Sequence, residues 1–345
     1  MSDHANSERT KQQVSPKDSP NTKVSQDATP TTQQIVIGFY NLENLFDTQN
    51  DPNTLDDDFT PDGFKNWTPK RYQNKLRKLS DVIAHLGSTE TQDAPSLLGV
   101  AEVENFKVLK DLINTKKLKE KNYGIVHYDS PDERGIDVGL LYRKDHFKII
   151  DSKNIEVFVE TEPGVRDRTR DILYVEGDLL GQRVYLLINH WPSRRDGAEL
   201  TSHKRITVAQ HNRAMISAIT KENAKARIII MGDFNDGPHA ESVKNHLVKD
   251  DFYNPMQFLL TRYEGSLNHR FEWYLFDQII LSNSFMRLHS NPMQYVKAKI
   301  ENDISLTEYN GKFKGNPFRT YGGRKYLGGY SDHFPVYCVL KIREA

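Results

Sequence analysis

A chain of 345 residues that is 37% apolar and 27% charged has the material for a folded core, and that length suits one large domain or two small ones. Its 47 Lys and Arg balance 47 Asp and Glu, which argues against a protein that grips nucleic acid by phosphate neutralisation alone. No run reaches the length of a membrane span, and the single cysteine, Cys338, excludes an intrachain disulfide.

Residues 1–34 are Ser, Thr, Gln, Pro and mixed charge with almost nothing to bury, a composition that predicts a disordered polar tail. Residues 35–345 are then the folded domain. The N-terminus lacks the apolar stretch of a signal peptide, so the expected compartment is the cytoplasm, the alternative being export with the signal already removed.

Order is predicted to begin with a strand over 35–40. Thr68 followed by Pro69 reads as an N-cap and first helical position, and Tyr72, Leu76, Leu79, Ile83 and Leu86 then recur at helical spacing. A short apolar strand over 96–101 precedes Asn105, which can cap a helix buried through Val108, Leu109, Leu112 and Ile113. Strands are predicted over 137–143, 147–159, 172–177 and 184–189, followed by a long helix over 200–221. A strand over 227–231, a short helix over 239–247 and strands over 273–281 and 336–342 complete the pattern. Helices interleaved with consecutive strand pairs suggest an α/β sandwich with mixed sheets, which needs most of 35–343 as one domain. Cys338 lies in an alternating apolar run and reads as a small buried hydrophobe.

Four strand ends finish in polar residues that a core does not favour. They are Asn41 in GFYNLEN, Glu102 in LLGVAEVEN, Gly232-Asp233-Phe234-Asn235 after Ile228 to Met231, and Ser331-Asp332-His333-Phe334-Pro335 before the last strand. Buried carboxylates need a cation or hydrogen-bond donors, and several meeting at one edge make a hard-oxygen site suited to Mg2+. Taken singly, Glu102 reads first as a solvated loop residue, and the Gly-Asp-Phe-Asn and Ser-Asp-His-Phe-Pro stretches are explained equally well by a turn or loop.

Together and in this order, these motifs resemble the endonuclease/exonuclease/phosphatase superfamily, which includes pancreatic deoxyribonuclease, abasic-site endonucleases, sphingomyelinases and inositol phosphatases. The resemblance covers about residues 35–342. Tyr40 to Asp47 also match the YN-x-ENLFD opening of a bacterial branch. It implies a DNase I-like four-layer α/β sandwich, two packed, mostly antiparallel or mixed sheets flanked by helices. It further implies a Mg2+-dependent phosphodiester hydrolase, Mn2+ being a possible substitute, with nucleic acid as substrate, no membrane partner and a monomeric state.

Residue by residue, the resemblance makes Glu102 the principal metal ligand, with Asn41 steadying it or contacting phosphate and Asp332 near the metal. Asp233 and Asn235 match the pair that positions water and phosphate. Asp277 matches the carboxylate that orients the terminal His333, and His190 matches the strand-end histidine serving the leaving group or phosphate oxygens. Either Asp233 or His333 is the base. Arg134 and Asp137 stand where some relatives carry phosphate-contacting and histidine-pairing groups. Glu104 replaces a DNA-contacting arginine of pancreatic deoxyribonuclease, which weighs against that enzyme's double-strand grip. The alternatives are a phosphomonoesterase or phospholipase-type hydrolase on the same fold, or a non-catalytic binding module.

Residues 309–330 carry Lys312, Lys314, Arg319, Arg324 and Lys325 among Phe313, Phe318, Tyr321 and Tyr326. Basic groups beside aromatics suit single-stranded nucleic acid, with Arg319, Tyr321 and Arg324 as candidate contacts; the alternative is a loop packed by its own rings. The aspartates of 47–62 lack EF-hand spacing and read as a solvated loop. Arg166, Arg168 and Arg170 alternate around Asp167, which can turn one face of an extended segment to phosphate, but a surface ladder of ion pairs is the favoured reading.

Overall fold

Alternating apolar residues from Ile35 onward build β1 (Thr32–Leu45), the first of twelve strands that pair into two six-stranded sheets. The computed structural model describes residues 32–162, 164–286 and 291–343. The expected polar tail therefore lies, for residues 1–31, outside the described residues, and β1 takes up its last three positions.

The first sheet contains β1, β2 (Leu97–Val103), β3 (Tyr123–His127), β4 (Asp137–Arg143), β11 (Met293–Ile300) and β12 (Val336–Arg343), in the order β11-β12-β1-β2-β4-β3. The second contains β5 (Phe147–Ile155), β6 (Ile172–Leu179), β7 (Gln182–His190), β8 (Ile228–Asp233), β9 (Phe252–Tyr253) and β10 (Asp277–Ser282), in the order β9-β10-β8-β7-β6-β5. Each sheet has one parallel pair at its centre, β1 with β2 and β7 with β8, and antiparallel pairing elsewhere. No sequence repeat announces this shared pattern.

Ile37, Phe39, Ile188, Met231, Ile279 and Cys338 belong to the core between the sheets. Outside the first sheet pack α1 (Pro69–His85) and α2 (Phe106–Ile113), through Leu76, Leu79, Ile83, Leu109 and Leu112. Outside the second packs α3 (Ser202–Glu222), through Val208, Ile216 and Ile219. Each fully buried side chain of this size contributes about 1.5–3 kcal/mol, so three apolar layers specify the four-layer α/β sandwich. The predicted caps are present: Thr68 accepts from Arg71 N, and Asn105 from Val108 N at 3.0 Å.

Some elements depart from the sequence pattern. β3 and β11 are sheet edges, and β11 is largely half-buried with two lysines; edge strands are often protected in this way and so lose their apolar signature. The strand expected over 273–281 is two: Glu272–Tyr274 pairs with Leu267–His269 in a small hairpin, and β10 starts at Asp277. The strand expected over 147–159 stops at Ile155, and Val159–Glu162 pairs separately with Val165–Asp167. The helix expected over 239–247 is a π-helical turn, Ser242–Val248. Among the described residues no helix is long and apolar enough to cross a membrane.

Candidate active site

Strand periodicity assembles the centre of the site. Side chains alternate across a strand, and the residues facing the inter-sheet core run Ile37, Phe39 on β1; Leu186, Ile188 on β7; Ile229, Met231 on β8; and Ile279, Leu281 on β10. The next inward positions towards one shared edge are Asn41, His190, Asp233 and Asp277. Asp233 is registered opposite both His190 and Asp277, so these three form a row across the second sheet. The packing of the first sheet brings Asn41 to it. Asn41, His190, Asp233 and Asp277 are at most 4% exposed.

Asp233 is the hub. Its Oδ2 accepts from Asn41 Nδ2 at 3.0 Å and lies 3.8 Å from His190 Nε2 and 4.0 Å from His333 Nε2. Its Oδ1 accepts from Asn235 N at 2.9 Å. Gly232 is required here because a Cβ would meet the Asn189 carbonyl oxygen at 2.3 Å. Burial, with Asp277 nearby, pushes the Asp233 carboxyl up to about 6, against the opposing pull of His333.

The histidines differ in charge because their neighbours differ. Burial works against a charged His333, but Asp277 Oδ2, 2.7 Å from Nδ1, and Asp233 outweigh it and raise its pKa well above the ordinary value. His190 is pushed well below its ordinary value by burial and by the positive Arg170 and Arg134. Two buried polar atoms, His190 Nδ1 and Asp277 Oδ1, have no protein hydrogen bond.

Glu102 ends β2 at φ +58°, accepts from Asn44 N at 2.9 Å, and has Arg134 Nη2 at 3.9 Å. Arg134 also donates to Asn44 Oδ1. Asn235, at φ +48°, donates through Nδ2 to the Trp191 carbonyl at 2.9 Å. The donor atoms of Asp233, Asp277 and His333 lie within 4.8 Å of one another, a group that could hold a metal ion, and Glu102 and Asp332 stand outside it. Mg2+ typically takes one or two carboxylates plus phosphate oxygens and water. The Glu102 carboxylate fits that chemistry.

Four expectations need correction. Asp332 is held by Arg319 Nη2 at 2.5 Å, so the carboxylate expected at the metal is engaged in an ion pair. Asn41 steadies Asp233 rather than Glu102. Asp137 does pair with a histidine, His127 at 3.1 Å, and accepts from Ser130 N at 2.9 Å and Oγ at 2.5 Å, so its carboxylate is engaged there rather than offered to substrate. Tyr321 is a packing residue, 7% exposed among Phe59, Trp67 and Tyr326.

The 309–330 loop is in large part packed by its rings, with Arg71 4.5 Å from the Tyr326 centroid and Lys65 5.1 Å from that of Tyr321. Arg324 is exposed and lies over Phe64 at 4.0 Å. Between this loop and β1 is a cavity of about 220 Å³, bordered by Glu43, Asn44, Lys65, Arg319 and Asp332. Glu104, two residues beyond Glu102, accepts from Asp47 N at 2.5 Å and anchors that loop.

Several residues had no site signal in the sequence. Arg170, expected in a surface ladder, is buried; it pairs with Asp132 at 3.0 Å and donates to the Trp191 carbonyl at 2.6 Å, the same oxygen that Asn235 uses. Asp132 also accepts from Arg134 N at 3.0 Å, linking that loop to the end of β7. Lys75, inside α1, reaches Thr320 Oγ1 at 2.7 Å and Glu43 at 3.5 Å.

Comparison with known proteins matches residues 36–342 to the Endonuclease/Exonuclease/phosphatase family. No curated protein sequence matches. Among solved structures, D. rerio TDP2 complexed with single strand DNA product is 16% identical, with a TM-score of 0.54 over 89% of this chain and 98% of that one. An endonuclease/exonuclease/phosphatase family protein from Bacteroides thetaiotaomicron is 15% identical, with a TM-score of 0.56 over 91% and 97%. A mannosyl-6-phosphatase of the same organism is 16% identical, with a TM-score of 0.54 over 89% and 99%. At such identities these likenesses speak to the fold, which is the expected DNase I-like sandwich.

Proposed function

Since this chain belongs to the endonuclease/exonuclease/phosphatase family and its scaffold is that of a phosphoester hydrolase, we propose that it is a divalent-metal-dependent phosphodiesterase acting on nucleic acid. The observation that carries this reading is the buried Asp233 bracketed by two imidazoles of opposite charge preference, with Asp277 2.7 Å behind one of them.

Asp233 is the base. A carboxyl near 6 is ionised at neutral pH yet basic enough to take a proton from water. His333, kept charged by Asp277, is a poor proton acceptor; it donates to a phosphate oxygen and stabilises charge gathering there. His190 stays neutral and offers a hydrogen bond without adding charge. Asn235 and Asn41 fix the carboxylate and the phosphate beside it, and Arg134 meets a phosphate oxygen. Glu102 would hold the cation, Mg2+ or Mn2+. A bound divalent ion neutralises phosphate charge and stabilises the leaving oxygen. The single-strand DNA product in a structure of the same fold supports nucleic acid as the substrate class.

The test is a panel of plasmid, single-stranded DNA, RNA, abasic duplex, a chromogenic phosphodiester and a phosphomonoester, each with Mg2+, Mn2+ or chelator. Metal-dependent cleavage of nucleic acid, lost in His333→Ala and Asp233→Asn, is expected. Turnover confined to the phosphomonoester would favour the phosphatase alternative, and undiminished activity in both variants would reject this site.

A further inference from the structure

Beyond Asn235 and Asp277 is a second cavity, of about 580 Å³. Its wall touches the site at two places. Arg194 Nε donates to the Asn235 carbonyl at 2.7 Å, and Phe276, immediately before Asp277, accepts from Phe234 N at 2.9 Å. Arg194, Arg195, His269 and Arg270 line the cavity with Tyr274 and Phe276, and among the described residues no acidic one lines it. In a chain whose charges balance overall, this grouping is a local excess of positive charge beside the candidate active site.

The cations are not equivalent. Arg194 is paired with Asp236 and lies 4.9 Å from the Phe276 ring centroid, so it serves chiefly to build the wall. Arg195 and Arg270 have no carboxylate within ion-pair distance among the described residues. Arg270 is at φ +52° in the turn of the hairpin formed by Leu267–His269 and Glu272–Tyr274, which sets the direction in which its side chain leaves the backbone. The hairpin's one acid, Glu272, is engaged by the Tyr274 hydroxyl at 2.7 Å. Tyr274, half-buried and backed by the buried Phe276 with ring centroids 5.2 Å apart, adds an aromatic surface.

Guanidinium groups recognise phosphate through paired N–H donors, and aromatic rings take the faces of bases whatever their sequence. We propose that this cavity is a subsite for a second phosphate of a nucleic-acid strand, gripped by Arg195 and Arg270, with the attached base against Tyr274. The proposal rests on the phosphodiesterase reading and narrows it: the preferred substrate is an oligonucleotide strand rather than an isolated phosphate ester.

A length series of single-stranded DNA, from dinucleotide to octanucleotide with Mg2+, tests it. For the native chain kcat/KM should climb by about tenfold at the step that adds the phosphate reaching the subsite, the size of one good charge-assisted contact. In the double variant Arg195→Gln/Arg270→Gln that step should flatten. Both side chains are exposed, so the fold should persist. Anisotropy of a fluorescein-labelled octanucleotide in chelator gives a second readout: losing the hold on that one phosphate should reduce the slope of log Kd against log salt by about 0.7. A native enzyme indifferent to length, or a step and salt slope unchanged in the variant, would overturn the subsite and leave the hydrolase reading standing. Failure of the native enzyme to cleave any diester would overturn that reading, while the anisotropy would still report on the subsite.

Discussion

Asp233, with its carboxyl pushed up to about 6 by burial and by Asp277, keeps its proton over a range in which an exposed aspartate has lost it. The unfolded chain releases that proton near its ordinary value of about 4. Between roughly pH 4 and 6 the folded state therefore binds more protons than the unfolded one, and this residue's contribution to stability declines as pH rises through that window. Asp233→Asn removes the cost of a buried, weakly compensated charge. In chelator above pH 6 it should gain up to about 3 kcal/mol, read as a higher urea midpoint, while kcat falls by about 10²-fold or more. Activity of the native chain should rise with pH through an apparent value near 6 that belongs to the Asp233–Asp277–His333 group as a whole. A midpoint lowered by the substitution at pH 8 would contradict this account of Asp233.

Among elements, the short helix α2 shows how local chemistry supports the site from outside it. Its eight residues bury Val108, Leu109 and Leu112 against the first sheet, and its first turn depends on Asn105, which follows Glu102 closely in the chain. A helix of this length is marginal without its cap and its packed face. Asn105→Ala should cost about 1 kcal/mol, seen as a lower urea midpoint with an unchanged m-value. A shift below experimental error would show that packing alone holds the helix. The small hairpin between β9 and β10 has a different place: it contributes little to the inter-sheet core but carries His269 and Arg270 to the cavity rim, as expected of a binding loop on a rigid scaffold.

For the molecule as a whole, the site depends on how closely the two sheets approach. Gly99 on β2 faces Met231 on β8, and a Cβ there would lie 2.6 Å from Met231 Sδ. Those same two strands end in Glu102 and Asp233. Gly99→Val should overpack the core and cost about 1–3 kcal/mol, and by shifting Glu102 relative to Asp233 it should also lower kcat at saturating Mg2+. Urea unfolding and steady-state kinetics of the same preparation read the two effects. Loss of stability with unaltered turnover would separate the sheet spacing from the chemistry. By itself the sequence determined the strand and helix periods, the two helix caps, and the polar residues within β1, near the ends of β2 and β8 and before β12, because alternation and capping are local and short stretches encode them. Only the tertiary structure decided that Asp137 partners His127, that Asp332 is held by Arg319, and that Arg170 is buried and paired with Asp132. Those partnerships join residues distant in the chain, or turn on which face is buried, and both are set when the two sheets pack together.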